Sequence, residues 1–358
     1  MNNLLVALVA FMATIILILL LRPVANAIGL IDKPDARKHH EGNIPLIGGI
    51  AIFLAFCLAV LLSPWLSETA DSLSKKLWVF IGAAALLVVA GALDDLRGLS
   101  PLTRFIVQIC AALIMVYGAG LVIVDLGSHI PTADRAILER LAIPFTVFAT
   151  VGLINAINMS DGLDGLSGNL TLVSFVGFGA ANSLWGSADI LEFVNVLSAA
   201  IAGFLIFNQR MHWRSAAAVF LGDAGSMMLG FALAWVAIEI SQGPNHALTP
   251  VAVLWFLVVP VYDTLGVIVR RSLAGRSPFH ADARHLHHLL IRAGLSVTAT
   301  IAIMCGMALV GVVIGLFVTW WVVPDWQVMA AFVAGWTIYL VIVQWAWKQP
   351  RIINYTAR

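Results

Sequence analysis

Apolar residues in this chain come in long runs, not at every second position and not along one narrow helical stripe. Windows near 4–22, 44–63, 77–93, 105–124, 141–157, 169–186, 191–207, 215–238, 248–270, 297–320 and 326–347 are rich enough in them to span a bilayer, which takes about 20 residues of helix. Hydrocarbon holds no water to satisfy an open backbone, and ten-residue alternating strand patterns are absent. The pattern therefore predicts an all-α polytopic membrane protein with eleven transmembrane helices. The seventh window is the least uniform, because Glu192 and Asn195 interrupt it. The first is followed by "ANA" at 25–27, which resembles a signal-peptide cleavage site. No positive charge precedes that run, it is long for a signal core, and Arg22 follows it directly, so a retained first helix is expected.

Composition agrees. Of 358 residues, 61% are hydrophobic and 11% are charged, against about 25% charged in soluble domains. The chain lacks the polar residues to coat a water-facing surface of its size. No repeat, low-complexity stretch or separate water-soluble unit stands out, so residues 1–358 read as a single transmembrane catalytic domain. A net charge of +1 gives no broad basic surface for nucleic acid. Cys57, Cys110 and Cys305 all fall inside apolar runs and form no disulfide framework or CxxC site.

Charge sidedness orients the windows. Sixteen of the twenty Lys and Arg residues fall in the odd-numbered connections and the C-terminal tail. By the positive-inside rule these face the cytoplasm and the N-terminus lies outside. Trp320, Trp321 and Trp326 then cluster at the outer interface. The same cytoplasmic face receives seven of nine histidines and the segments "DKPDARKHHEGNIP", "DDLRGLSP", "NMSDGLDGLSG", "NQRMHWRS" and "RRSLAGRSPFHADARHLHHLLIRAG".

The chemistry concentrates there. Asp94 and Asp95 close the third window, at a helix C-terminus where the dipole disfavours acids. Asp161 and Asp164 are three apart, a spacing that puts both on one face if the stretch is helical, and Gly162, Gly165 and Gly168 allow close approach. Asn155 and Asn158 stand beside them. Asp223, in "FLGDAGS", is read as lying inside an apolar span, where an ionisable group points to function. Asp263, in "PVYDTLG", is either a site residue or a partner to a buried polar group. Oxygen donors without thiolates suit Mg²⁺, with Mn²⁺ as a substitute, because Mg²⁺ is usually held by one or two carboxylates plus substrate phosphates. Zinc is the rival, since "HLHH" offers His285, His287 and His288, although their spacing is not the i, i+4 of HExxH. Arg270, Arg271, Arg276, Arg284 and Arg292 surround these histidines and can anchor the loop or clamp phosphate oxygens. Carboxylates for a metal beside Arg and His are the equipment of phosphoryl transfer. No Walker sequence is present. Spacing alone reaches a metal-dependent phosphotransferase joining a water-soluble donor to a membrane lipid.

The motifs "DKPDARKHHEGNIPLIGG", "GALDDLRGLSP", "NAINMSDGLDGLSG", "FLGDAGS" and "SPFHADARHLHHLLIRAG", in that order, resemble those of the polyprenyl-phosphate N-acetylhexosamine-1-phosphate transferases over nearly the whole chain. The resemblance implies transfer of GlcNAc-1-phosphate from UDP-GlcNAc to undecaprenyl phosphate in a bacterial inner membrane, with the active site facing the cytoplasm. UMP is released, and the lipid-linked sugar diphosphate initiates a cell-envelope polysaccharide. It also implies catalytic carboxylates at Asp94, Asp95, Asp161 and Asp164, with Asp94 and Asp95 helping to bind Mg²⁺ or activate the lipid phosphate. Asp223 would ligate Mg²⁺ directly, and Asn158, Asp161 and Asp164 would shape the nucleotide-sugar site. His285, His287 and His288, with Arg276, would hold the diphosphate. Lys33, Arg37 and Lys38 would meet lipid phosphate or serve as anchors. A homodimer is a family expectation. "HLHH" favours the GlcNAc branch over the one using UDP-MurNAc-pentapeptide, whose last loop carries three adjacent histidines; the same reaction with another UDP-N-acetylhexosamine is the alternative within the family. An ion-coupled transporter and a lipid phosphatase are the readings from other classes. The first lacks matching inverted halves here, and UMP release separates the second.

Overall fold

The computed structural model of the protein describes residues 2–32, 42–66, 75–127, 132–243, 246–275 and 284–349. Among these, helices α1 (Asn2–Ile28), α2 (Gly48–Leu66), α3 (Lys75–Arg97), α4 (Pro101–Ala119), α5 (Thr132–Ser160), α6 (Leu166–Trp185) and α7 (Ala188–Asn208) are followed by α8 (Gly222–Ser241), α9 (Ala252–Phe256), α10 (Val258–Leu273), α11 (Leu286–Arg292), α12 (Val297–Trp320) and α13 (Asp325–Trp347). Eight of them, α1, α3, α4, α5, α7, α8, α12 and α13, are long and apolar enough to cross a membrane. Each of the eleven sequence windows contains helix, and the all-α class holds. The exception is a small antiparallel pair, β1 (Ile31–Asp32) and β2 (Ile44–Pro45), with Ile31 opposite Pro45.

Helix α8 is the axis of the bundle. Almost all of its residues are buried, against α5, α3 and α2. Its small residues make this possible. A Cβ on Gly49 would collide with the Gly225 backbone, and one on Gly91 with the Ala224 backbone. Such close backbone contact is how helices associate where lipid removes the hydrophobic incentive. The outer helices are apolar on their exposed faces, as lipid contact requires. Leu8, Ile16 and Leu19 of α1, Val310 and Val313 of α12, and Ile338 and Val341 of α13 are exposed. Trp320, Trp321 and Trp326 are exposed at the α12–α13 turn.

Two windows depart from expectation. The eighth becomes helical only at Gly222. Residues just before it give their peptide groups to other segments: Phe220 N–H donates to Pro45 O, and Gly48 and Gly49 N–H donate to Phe220 O and Leu221 O. The ninth breaks at Leu257, between α9 and α10. Pro260 has no N–H for the Phe256 carbonyl four residues earlier, and the Ser174 hydroxyl donates to that carbonyl at 2.8 Å instead.

Candidate active site

The carboxylates at the end of α3 meet the start of α8. Asp95 Oδ1 accepts the Asp223 N–H at 3.1 Å and so caps α8 from a neighbouring helix. Gly222 makes the approach possible: its φ is +73°, and a Cβ there would sit 2.6 Å from Asp95 Oδ2. Asp94 Oδ1 accepts the Leu99 N–H at 2.6 Å, closing the α3–α4 turn. Asp94 Oδ2 is buried without a well-aligned hydrogen bond, 3.1 Å from Arg104 Nη1. Arg104 also reaches Asp223 Oδ2 at 3.9 Å, and the Asp94 and Asp223 carboxylates lie within hydrogen-bonding reach of each other. Asp223 is therefore in the first turn of α8, not deep in a span, and the helix dipole favours it there. Asn158 Nδ2 donates to Asp223 Oδ1 at 2.6 Å and to Ser226 Oγ at 2.8 Å, which fixes that carboxylate.

Asp161 and Asp164 do not share a helix face. Residues 161–165 form the turn between α5 and α6, with Gly165 at φ +87°. The two carboxylates separate. Asp161 Oδ1 accepts from Ser167 Oγ at 2.5 Å. Asp164 Oδ2 pairs with Arg210 Nε at 2.8 Å and accepts the Ala217 N–H at 3.2 Å, tying down the loop before α8. Burial pushes the Asp161 carboxyl up to about 7, with the charges of Asp223 and Asp164 adding and the Ser167 bond opposing.

The histidines complete this end of the bundle. Asp263 of α10 holds them: His285 Nδ1 is 2.9 Å from its Oδ2, and Leu286 N–H and the Tyr339 hydroxyl each donate to Oδ1 at 2.9 Å. His287 is buried with neither ring nitrogen hydrogen-bonded, beside Gly162, where a Cβ would lie 2.6 Å from Nε2. Burial pushes His287 down to about 3, with His288 adding to the effect. His285 stacks on His287 with ring centroids 5.6 Å apart, and His288 lies tilted against His287 at 4.0 Å.

Two carboxylate oxygens facing each other, with Asp94 Oδ2 buried and lacking an aligned donor, fit Mg²⁺, which keeps waters and takes its other oxygens from phosphate. Asp95 spends its oxygens on α8. Among the described residues, no three of His, Cys, Asp and Glu are arranged to hold a metal unaided. Lys33, Arg37, Lys38 and Arg276 lie outside the described residues.

A cavity of about 1800 Å³ opens from this cluster. At one end it is lined by Arg104, Asn158, Asp161, His285, His287 and His288. Its remaining walls, from α4, α5, α8, α9 and α10, are mostly apolar and reach as far as Ile123 and Gln242 at the other end of the bundle.

Residues 77–241 match the model of glycosyl transferase family 4. An undecaprenyl-phosphate alpha-N-acetylglucosaminyl 1-phosphate transferase of Yersinia pestis is 35% identical over 96% of this chain and 92% of its own length. Proteins of the same name from Escherichia coli strain K12 and Haemophilus influenzae are 32% and 33% identical, over 97% and 98% of this chain and 93% and 96% of their own lengths. The chain belongs to glycosyl transferase family 4. The family 4 match includes Asp94, Asp95, Asn158, Asp161, Asp164 and Asp223, and the relatives extend the likeness through most of the remaining chain, including α9–α13. In this family 4 protein, six segments far apart in sequence converge on one end of the bundle. Arg104, Ser167 and Tyr339 were not singled out from the sequence. Arg104 had a signal, falling one turn after the "SP" helix start at Ser100 and Pro101, where Ser100 Oγ accepts the Thr103 N–H.

Proposed function

We propose that this protein transfers GlcNAc-1-phosphate from UDP-GlcNAc to undecaprenyl phosphate, giving undecaprenyl-diphospho-GlcNAc and UMP. The observation that carries the reading is the cavity: a polar end with the Asp161 carboxylate, Arg104 and three histidines continues into apolar walls along the bundle. A lipid phosphate has this division of character, and the names of the relatives specify such an acceptor. The excess of Lys and Arg in the segments at the polar end supports a cytoplasmic orientation.

Asp94 and Asp223 would hold Mg²⁺, with Asp95 and Asn158 fixing the Asp223 backbone and side chain. The cation would offset the negative charge that gathers when one phosphate approaches another. Arg104, on the same carboxylates and at the mouth of the cavity, receives the lipid phosphate. Asp161, with a carboxyl near 7 and Oδ2 free of the Ser167 bond, takes the acceptor's proton at that atom, a match to working pH that suits a general base. The lipid phosphate oxygen then bonds to the β-phosphorus of UDP-GlcNAc. The bond from that phosphorus to the bridging oxygen breaks, and UMP leaves. His285 and His287 line the cavity beside Asp161 and meet the diphosphate oxygens. Direct attack needs no covalent aspartyl intermediate, because the acceptor is already an anionic nucleophile.

Purified protein with UDP-GlcNAc, undecaprenyl phosphate and Mg²⁺ should release UMP, and EDTA should stop it. Asp223→Asn should abolish turnover while leaving the protein folded. Substantial turnover in that variant would remove Asp223 from the metal site.

A further inference from the structure

Helices α10, α11 and α13 contribute a hydrogen-bonded relay that the transfer chemistry above does not itself require. Asp263 is buried on α10, and three donors converge on it: His285 Nδ1 on one oxygen, Leu286 N–H and the Tyr339 hydroxyl on the other, each at 2.9 Å. A carboxylate that only accepts fixes the tautomer. Nδ1 of His285 must carry its proton, which leaves Nε2 as the atom that varies. The Leu286 bond fixes the start of α11, so the residue that carries the ring is held at its backbone as well. Tyr339 comes from α13, and its hydroxyl completes the coordination of Oδ1.

We infer that Asp263 and Tyr339 are positioning residues that fix the His285 ring and its tautomer, so that Nε2 is the nitrogen left to meet the substrate diphosphate. This rests on the transfer reading for its substrate. His287 and His288 of α11 lie beside the ring, with centroids at 5.6 and 6.0 Å, and Arg271 of α10 and Asp161 of the α5–α6 turn line the same cavity. Arg270 is occupied in part by the Arg284 carbonyl, at 2.7 Å. The alternative is that Asp263 serves only as a cap for α11.

The test uses the full chain in detergent and two readouts. The first needs no activity: ¹⁵N NMR of histidine-labelled protein at alkaline pH, with the His285 signal identified by its loss in His285→Ala. The unaltered protein should show the Nδ1–H form of that ring. Asp263→Ala removes the acceptor and should shift His285 toward the Nε2–H form. Tyr339→Phe leaves the acceptor in place and should keep the Nδ1–H form. The Nε2–H form in the unaltered protein, or no change in Asp263→Ala, would overturn the relay. The second readout is UMP release. Asp263→Asn should cut kcat roughly 10–100-fold, the cost of losing the outer partner of a site histidine. In a His285→Ala background the same substitution should cost nothing further, whereas a simple cap would cost the same again. If the unaltered protein released no UMP, the transfer reading would fail, and the tautomer of His285 would still decide the relay.

Discussion

Replacing Asp161 by asparagine should make the protein more stable and less active at once. The side chain borders the cavity but is otherwise surrounded by protein, and burial pushes its carboxyl from an ordinary value of 3.8 up to about 7. For an acid raised in this way, the folded protein binds the proton more tightly than the unfolded chain does. Its contribution to stability is whole below 3.8 and is lost as pH rises to about 7. The difference of about 3 between the two values corresponds to about 4 kcal/mol, at about 1.4 kcal/mol for each tenfold change in proton affinity. Water in the cavity screens part of this, leaving about 2 kcal/mol. Asparagine keeps the shape and an acceptor for Ser167 and carries no charge. Thermal unfolding in detergent and EDTA should therefore show Asp161→Asn melting a few degrees higher at pH 8, with a smaller advantage at pH 5. Turnover should fall at both. A lower melting temperature at pH 8, or the same difference at both pH values, would refute the account of Asp161 as a strained, buried acid.

Gly222→Ala places a side chain at φ +73° and 2.6 Å from Asp95 Oδ2; it should destabilise by at least about 1–2 kcal/mol and abolish turnover, and near-normal melting would contradict the fit between α3 and α8. Arg104→Ala should raise KM for undecaprenyl phosphate tenfold or more, from about 1.5–3 kcal/mol for a charged hydrogen bond, and leave KM for UDP-GlcNAc nearly unchanged; the reverse split would move Arg104 to the donor. Asp164→Ala removes an ion pair to a partly exposed Arg210, worth under about 1 kcal/mol; melting should barely change while proteolysis between 209 and 217 quickens, and unchanged proteolysis would show that Asp164 does not hold that loop.

The helices were legible because lipid demands long apolar runs, which no ordinary soluble helix needs. Their ends were less so. "AAAVFL" at 216–221 is apolar enough to read as helix, yet its peptide groups bond to Asp164, Phe207, Asn208 and residues 45–49, and its helix begins only at Gly222. That shift moves Asp223 from several residues inside a span to a helix start. The spacing of Asp161 and Asp164 suggested one face, but the intervening glycines make a turn and the acids part. Most of the carboxylates and histidines of the site could be listed from the sequence, because ionisable groups are expensive beside lipid. Their division of labour could not. Asp95 as a cap for α8, Asp164 as a loop clasp and Asp263 as the holder of His285 depend on neighbours 22 to 128 positions away. Arg104 and Tyr339 are single polar residues whose meaning comes only from what packs against them.

The most direct test of phosphosugar transfer is the identity of the leaving nucleotide, measured against the lipid product. UDP-GlcNAc carrying an isotopic label in the β-phosphate would be incubated with the protein, undecaprenyl phosphate and Mg²⁺, and both products analysed by mass spectrometry. UMP and a labelled lipid diphosphate carrying GlcNAc, formed one for one, is the result predicted. UDP retaining the label, with the sugar alone on the lipid, would show glycosyl rather than phosphoryl transfer and contradict the account.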